Sequence, residues 1–260
     1  MKHLTRAGER LAYEDVGEGE QALVFVHGMV CDHRYFEPQV DHFSRTHRVV
    51  AVDLRGHGES EGSAERSHPD DYADDIACLI TELGLVKPVV IGHSMGGLVA
   101  LRLAHLRPDV VGAIVALDSA WLVPEAVSVS GAAVLEKLRG PNCREVFRQI
   151  VENGFFLPTD DPERKAWITN DMCSASPDLI AAQWEHAGQN TDTETPLASL
   201  AVPALYIAAA FPFGDVERIR QAPGVTVGQT IGTGHFMQLE APDQVNAMIE
   251  RYLRITPIGA

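Results

Sequence analysis

Six short runs of apolar, largely β-branched residues recur along the chain, and helical patterns lie between several of them. The runs are ALVFVHG (Ala22 to Gly28), HRVVAVDL (His47 to Leu54), KPVVIGH (Lys87 to His93), VVGAIVALD (Val110 to Asp118), VPALYIAAA (Val202 to Ala210) and GVTVGQTI (Gly224 to Ile231). A strand that is apolar on both faces must be covered on both faces, which is the condition of a parallel sheet. Helical patterns at Tyr35 to Thr46, Pro69 to Leu83, Ser94 to Arg107 and Pro242 to Arg254 supply that cover. The alternation predicts an α/β fold with a mostly parallel sheet and helices on both faces. The opening HLTRAGERLAYEDVG reads as an antiparallel hairpin at the sheet edge.

One interval breaks this rhythm. Residues 119–202 hold no convincing strand, but they contain the helical patterns GAAVLEKLRG, CREVFRQIVENG, DPERKAWITNDM and PDLIAAQWEHAG. An insertion of this length inside a compact domain must have structure of its own. We expect a helical cap over a core made of residues 1–118 and 203–260. All three tryptophans (Trp121, Trp167 and Trp184) lie in the interval, together with Phe155-Phe156. Each aromatic taken singly would serve packing; as a group, some are expected to line a pocket.

Composition narrows the partners. With 36 acidic and 21 basic side chains the formal net charge is −15, which opposes phosphate backbones and anionic membranes, so neither a nucleic acid nor a membrane is expected. The N-terminal stretch has no apolar signal-peptide core, and no segment reaches the roughly 18 apolar residues of a membrane span. Cys31, Cys78, Cys143 and Cys173 are scattered without a CxxC pair and read as free thiols of a reducing, cytoplasmic compartment. The eleven histidines make no HxxxH or HExxH pair, and CDHRY at Cys31 to Tyr35 is the nearest thing to a ligand cluster. Neither a metal nor a cofactor is expected. The partner expected is a small-molecule substrate; oligomeric state is not legible.

The stretch VVIGHSMGGLVALRLAHLRP, Val89 to Pro108, begins as a strand and ends as a helix with Ser94 at the bend. G-x-S-x-G in that context is the nucleophile-elbow pattern. Gly92 and Gly96 carry no side chain, so strand and helix backbones can approach, and the Ser94 hydroxyl is presented above the strand's carboxyl end. The next amide, Met95 N–H, points at the same place from a helix N-terminus, where negative charge is favoured. A serine hydroxyl needs a base. His235, beside Gly234 in IGTGHFMQLEAPDQV after the last strand, is placed for that task. His3, His42, His68 and His105 fall on edge or helical segments, and His93 is expected to point the other way along its strand.

The histidine needs a carboxylate, and two aspartates compete. Asp118 ends the strand VVGAIVALD; Asp215 follows the next strand but comes late and looks like the N-cap of a short helix from Val216. Asp118 is the first choice and Asp215 the alternative. A second oxyanion donor is expected from VFVHGMVCDHRYF, where Gly28 permits a tight backbone and Met29 N–H faces the serine, with His27 bracing the loop. Gly28, His33, Trp121, Phe155, Phe156, Trp184 and Phe236 are the candidate substrate-binding residues.

HGMVCDHRYFEPQV, VVAVDLRGHGES, VIGHSMGG and GTGHFMQLEAPDQV, in this order and spacing, resemble the α/β-hydrolase superfamily over nearly the whole chain, least so in the cap. The resemblance implies an α/β-hydrolase fold: an eight-stranded, mostly parallel sheet, a cap inserted after the sixth strand, and a triad of Ser94, His235 and a carboxylate. Asp53 and RGHGES match a structural loop of that superfamily. An acid after the sixth strand is similar to a subgroup of haloalkane dehalogenases and to cofactor-free quinolone dioxygenases. The dioxygenases also resemble this chain around CDHRYF and VALDSAW. The activity expected is a serine esterase or lactonase acting on a small hydrophobic substrate through an acyl-enzyme. The alternatives are a cofactor-free dioxygenase or lyase using the His-Asp pair, and a small-molecule receptor.

Overall fold

The computed structural model describes residues 1–6, 8–187 and 191–258. Eight strands form one sheet: β1 (Lys2–Arg6), β2 (Glu9–Val16), β3 (Ala22–Val26), β4 (Arg48–Val52), β5 (Val89–His93), β6 (Ala113–Leu117), β7 (Ala204–Ala208) and β8 (Val225–Gln229), in the order β1-β2-β4-β3-β5-β6-β7-β8. β2 runs antiparallel to β1 and β4, and every other pairing is parallel. Every position of β3, β5, β6 and β7 is buried, which is why these strands read as unbroken apolar runs.

Alternate residues feed two cores. On one face Phe25, Val49, Ile91, Val115 and Ile207 pack against α1 (Glu37–Phe43) and α11 (Pro242–Ile255) through Val40, Phe43, Val245 and Ile249. On the other, Val24, Val50, Val90, Ile114 and Tyr206 pack against α2 (Pro69–Glu82) and α3 (Met95–Leu106) through Ile76, Ile80, Leu98 and Leu101. The chain leaves β3 for β4 on one side and returns to β5 on the other. This switch in strand order opens a crevice at the carboxyl ends, where ligands of α/β sheets bind. Val26 pairs with Gly92 and His93 with Leu117, so the loops after β3, β5 and β6 start side by side.

Between β6 and β7 lie α4 (Glu125–Leu138), α5 (Cys143–Gly154), α6 (Pro162–Met172), α7 (Pro177–Glu185) and α8 (Glu194–Ala198), with α4, α5 and α7 packed on one another. α6 and α7 each begin with proline behind a capping side chain, Asp161 accepting from Arg164 N and Ser176 from Leu179 N. After β7 come α9 (Val216–Gln221) and, after β8, α10 (Met237–Glu240). Among the described residues no helix is long and apolar enough to cross a membrane.

Candidate active site

Ser94 sits between β5 and α3 with φ 53° and ψ −117°, a backbone state rare outside glycine. The strain is held by hydrogen bonds on both sides. Ser94 N donates to Leu117 O (2.9 Å), while Ser94 O accepts from Gly97 N (3.0 Å) and Ser119 Oγ (2.8 Å). A Cβ on Gly92 would stand 2.0 Å from Gly96 O, and one on Gly96 2.0 Å from Val26 O, so no larger residue fits where helix meets strand.

The loop after β8 carries His235, whose Nδ1 lies 2.7 Å from Asp118 Oδ2. Asp118 is fully buried at the end of β6, and its other oxygen faces Ala209 N and Phe213 N at 3.4 Å each. A proton on Nδ1, donated to the carboxylate, leaves the Nε2 lone pair free to accept. Asp215 does something else: its side chain accepts from Arg218 N (3.1 Å) and caps α9. His235 N donates to Phe155 O (2.8 Å), and the rings of Phe155, Phe213 and Phe236 surround the imidazole at 4.9, 4.7 and 5.3 Å. Among the described residues no hydrogen bond joins Ser94 Oγ to His235, yet both line one cavity.

His93 differs from its sequence reading. Its ring packs on that of His235 (4.5 Å), and its Nε2 donates to His235 O at 2.9 Å, so it braces the histidine loop instead of facing away. Burial, then the neighbouring His235, hold its pKa well below the ordinary histidine value.

Gly28 follows β3, and a Cβ there would come within 3.2 Å of Ser94 Cβ. Beside it, His27 Nε2 accepts from Leu54 N (2.9 Å), which obliges Nδ1 to carry the proton it donates to Gly28 O (2.8 Å). Gly28 O also accepts from Cys31 N at 3.3 Å. In a planar trans peptide the N–H points opposite to the C=O, so pinning the Gly28 carbonyl aims Met29 N–H. That N–H has no acceptor among the described residues, and Met95 N–H, at the first position of α3, has none within its helix.

The cavity holds about 270 Å³ and is lined by Met29, Ser94, His235, Ala120, Val123, Val127, Ser130, Gly131, Val134, Ile150, Phe155, Trp184, Ala187 and Phe213. No Lys, Arg, Asp or Glu is among these lining residues. A larger depression of about 780 Å³, between the α4–α5 connection and α7, contains neither Ser94 nor His235.

Of the candidate substrate-binding residues, Phe155 and Trp184 line the cavity, and Gly28 lies against Ser94. The others turn elsewhere. Trp121 is fully buried, donating Nε1–H to Gly97 O (3.1 Å) and packing on Tyr206. Phe236 is buried behind His235, and Phe156 stacks on it with Lys165 above its ring. His33 is held by Asp53 (Nδ1 to Oδ1 2.7 Å), a bond that raises its pKa. Among the described residues Asp32, His33 and Asp53 come nearest to a ligand set. Their oxygens are already engaged: Asp53 accepts from His33 N and Glu59 N, and Asp32 from Arg34. The sequence reading missed Phe213, Val134 and Ile150. Phe213 stands in AAAFPFG two residues after Phe211, and no local pattern tells the cavity-lining ring from the exposed one.

The sequence pattern described as "Alpha/beta hydrolase family" matches residues 23–248. The chain is 27% identical to the AB hydrolase superfamily protein YisY of Bacillus subtilis, over 97% of this chain and 99% of that one. It is 26% identical to the (E)-2-((N-methylformamido)methylene)succinate hydrolase of Acinetobacter baylyi, over 98% and 99%. Among solved structures, a thermophilic esterase from Thermogutta terrifontis superposes with a TM-score of 0.85 at 26% identity, covering 98% of each chain. The elbow, the sheet order and these likenesses agree: the chain belongs to the alpha/beta hydrolase family.

Proposed function

We propose that the chain is a serine hydrolase that cleaves small, neutral, hydrophobic carboxylic esters or lactones. The 2.7 Å contact between Asp118 and His235, in a cavity shared with the strained Ser94, carries this reading. His235 Nε2 takes the Ser94 proton as Oγ attacks the carbonyl carbon. Met29 N–H and Met95 N–H receive the oxyanion, and Asp118 holds the imidazolium. The tetrahedral intermediate collapses as His235 protonates the leaving alkoxide. Water, deprotonated in turn by His235, then frees the acid and restores Ser94. Of the two aspartates Asp118 is the proposed acid, because Asp215 is spent on a helix cap.

The 119–202 segment is the proposed cap: α4, α5 and α7 supply Val134, Ile150 and Trp184 to the cavity. A lining without Lys or Arg favours neutral substrates, since a buried carboxylate without a partner is costly. By its name the Acinetobacter relative hydrolyses a substituted succinate; a substrate of that charge suits this cavity poorly. The test is acid release in a pH-stat over short- to long-chain esters and aliphatic lactones, with Ser94→Ala alongside and succinate monoesters as the charged set. Wild type should release acid from the neutral panel and the variant from none. If wild type is inert on the whole panel, the reading fails, and oxygen consumption and ligand binding are measured next.

A further inference from the structure

Gln183, on α7, is fully buried, and its side-chain amide joins three segments distant in sequence. Oε1 accepts from Val30 N (2.9 Å), and Nε2 donates to His57 Nε2 (2.8 Å) and to Tyr72 OH (2.7 Å). The proton assignment is forced. A backbone N–H only donates, so Oε1 faces Val30. His57 Nδ1 must donate to Arg55 O (2.8 Å), which leaves its Nε2 as an acceptor. Burial lowers the His57 pKa and favours that neutral tautomer.

The bond to Val30 acts on a strained turn. Cys31 N donates to Gly28 O (3.3 Å), and Val30, the third residue of the four, has φ 47°. Positive φ at that position marks a type II turn, which selects Gly or Asn; a β-branched residue there is a steric outlier. A type I turn joins the same ends with negative φ at that residue, and the two forms differ by a flip of the central peptide. Gln183 Oε1 grips the N–H of that peptide, and Cys31 Sγ lies 3.2 Å from its carbonyl, Met29 O. Met29 N–H, the oxyanion donor of the proposed mechanism, belongs to the neighbouring peptide of the same turn. The next residue along α7, Trp184, lines the cavity and donates Nε1–H to Gly131 O on α4 (3.1 Å).

We propose that Gln183 is a positioning residue: by holding Val30 N–H it keeps the strained turn closed, with Cys31 N on Gly28 O, and so keeps the Gly28–Met29 peptide and its Met29 N–H aimed at the oxyanion. The inference rests on the hydrolase reading above. It is tested on the full chain with p-nitrophenyl butyrate turnover, fluorophosphonate labelling of Ser94 and thermal melting. The variants are Gln183→Met, Gln183→Glu, Tyr72→Phe and the double variant Gln183→Met/Val30→Gly. Gln183→Met should lose about ten- to a hundredfold in kcat with KM within about threefold, and label correspondingly slowly. Gln183→Glu, which keeps the acceptor for Val30, and Tyr72→Phe, which removes a different bond of the amide, should melt lower yet hold kcat within about threefold. Glycine at position 30 takes positive φ freely, so the double variant should regain about tenfold of the lost kcat.

Unchanged kcat in Gln183→Met, an equal loss in Tyr72→Phe or Gln183→Glu, or no recovery in the double variant would each overturn the inference and leave Gln183 a structural clamp. If Gln183→Met does not fold, the Gln183→Glu and Tyr72→Phe arms decide. Wild type that is folded but neither turns over the ester nor labels at Ser94 sinks the hydrolase reading and this inference with it. Normal labelling of both wild type and Gln183→Met sinks the inference alone.

Discussion

Three non-glycine residues with positive φ stand at the carboxyl ends of adjacent strands: Val30 (47°) after β3, Ser94 (53°) after β5 and Asp118 (43°) after β6. Each such conformation costs on the order of 1–3 kcal/mol and persists only where surrounding bonds over-determine it. Those bonds are visible: Gln183 on Val30, Leu117, Gly97 and Ser119 on Ser94, and Ile207 O accepting from Asp118 N at 2.8 Å. At this scale the two aspartates make opposite predictions. Asp118→Asn keeps the shape but stabilises the wrong histidine tautomer, and should lower kcat by about 10³–10⁴. Asp215→Asn, still a good helix cap, should leave kcat within about threefold and stability within a few tenths of a kcal/mol. Steady-state kinetics on the two variants decide, and a reversed ranking would reassign the acid. From sequence the two could be ranked, Asp118 before Asp215, but not decided, because both are aspartates following consecutive strands.

α4 shows how far pattern reading reaches along an element. The sequence shows a helical pattern only from Gly131, whereas the helix begins at Glu125. The added turn, EAVSVS, is rich in β-branched and serine residues whose weak helical propensity hid it. The helix packs on α7, and that contact outweighs local preference. Gly131 and Val134 bring the same helix to the cavity wall. A larger side chain there should occupy the space of an acyl chain. Val134→Phe is expected to cut kcat/KM for octanoyl esters by about tenfold, the cost of overpacking being about 1–3 kcal/mol, while acetyl esters are unaffected. A chain-length series measures this, and an unchanged optimum would remove α4 from the acyl site.

Over the whole molecule, acidity is set against buried neutral histidines. Burial, then the neighbouring His57, lower the His27 pKa to about 4, and burial lowers those of His57 and His93 as well. For a lowered histidine the unfolded chain binds more protons between the two pKa values. Its contribution is therefore complete above the unfolded value of about 6.5 and is lost as pH falls toward the folded one. His33 works in the opposite sense, since Asp53 raises its pKa and that contribution is lost as pH rises. His47 and His186 are lowered by burial as well, so five histidines act against His33 and the raised carboxyl of Asp75; the urea midpoint should fall between about pH 7 and pH 4.5, and a flat midpoint would falsify burial of these rings in the neutral state. The strands, the helix cover and the serine elbow were legible in the chain itself, because they depend on side-chain period and on glycines within a few residues of one another. Facing was not. Asp118 meets His235 across 117 residues, and Gln183 meets Val30 across 153. Phe155, Trp184 and Phe213 turn to the cavity while Trp121 and Phe236 turn to the core. Only the packing of distant segments decides such contacts, for local residue pattern carries no direction across a fold.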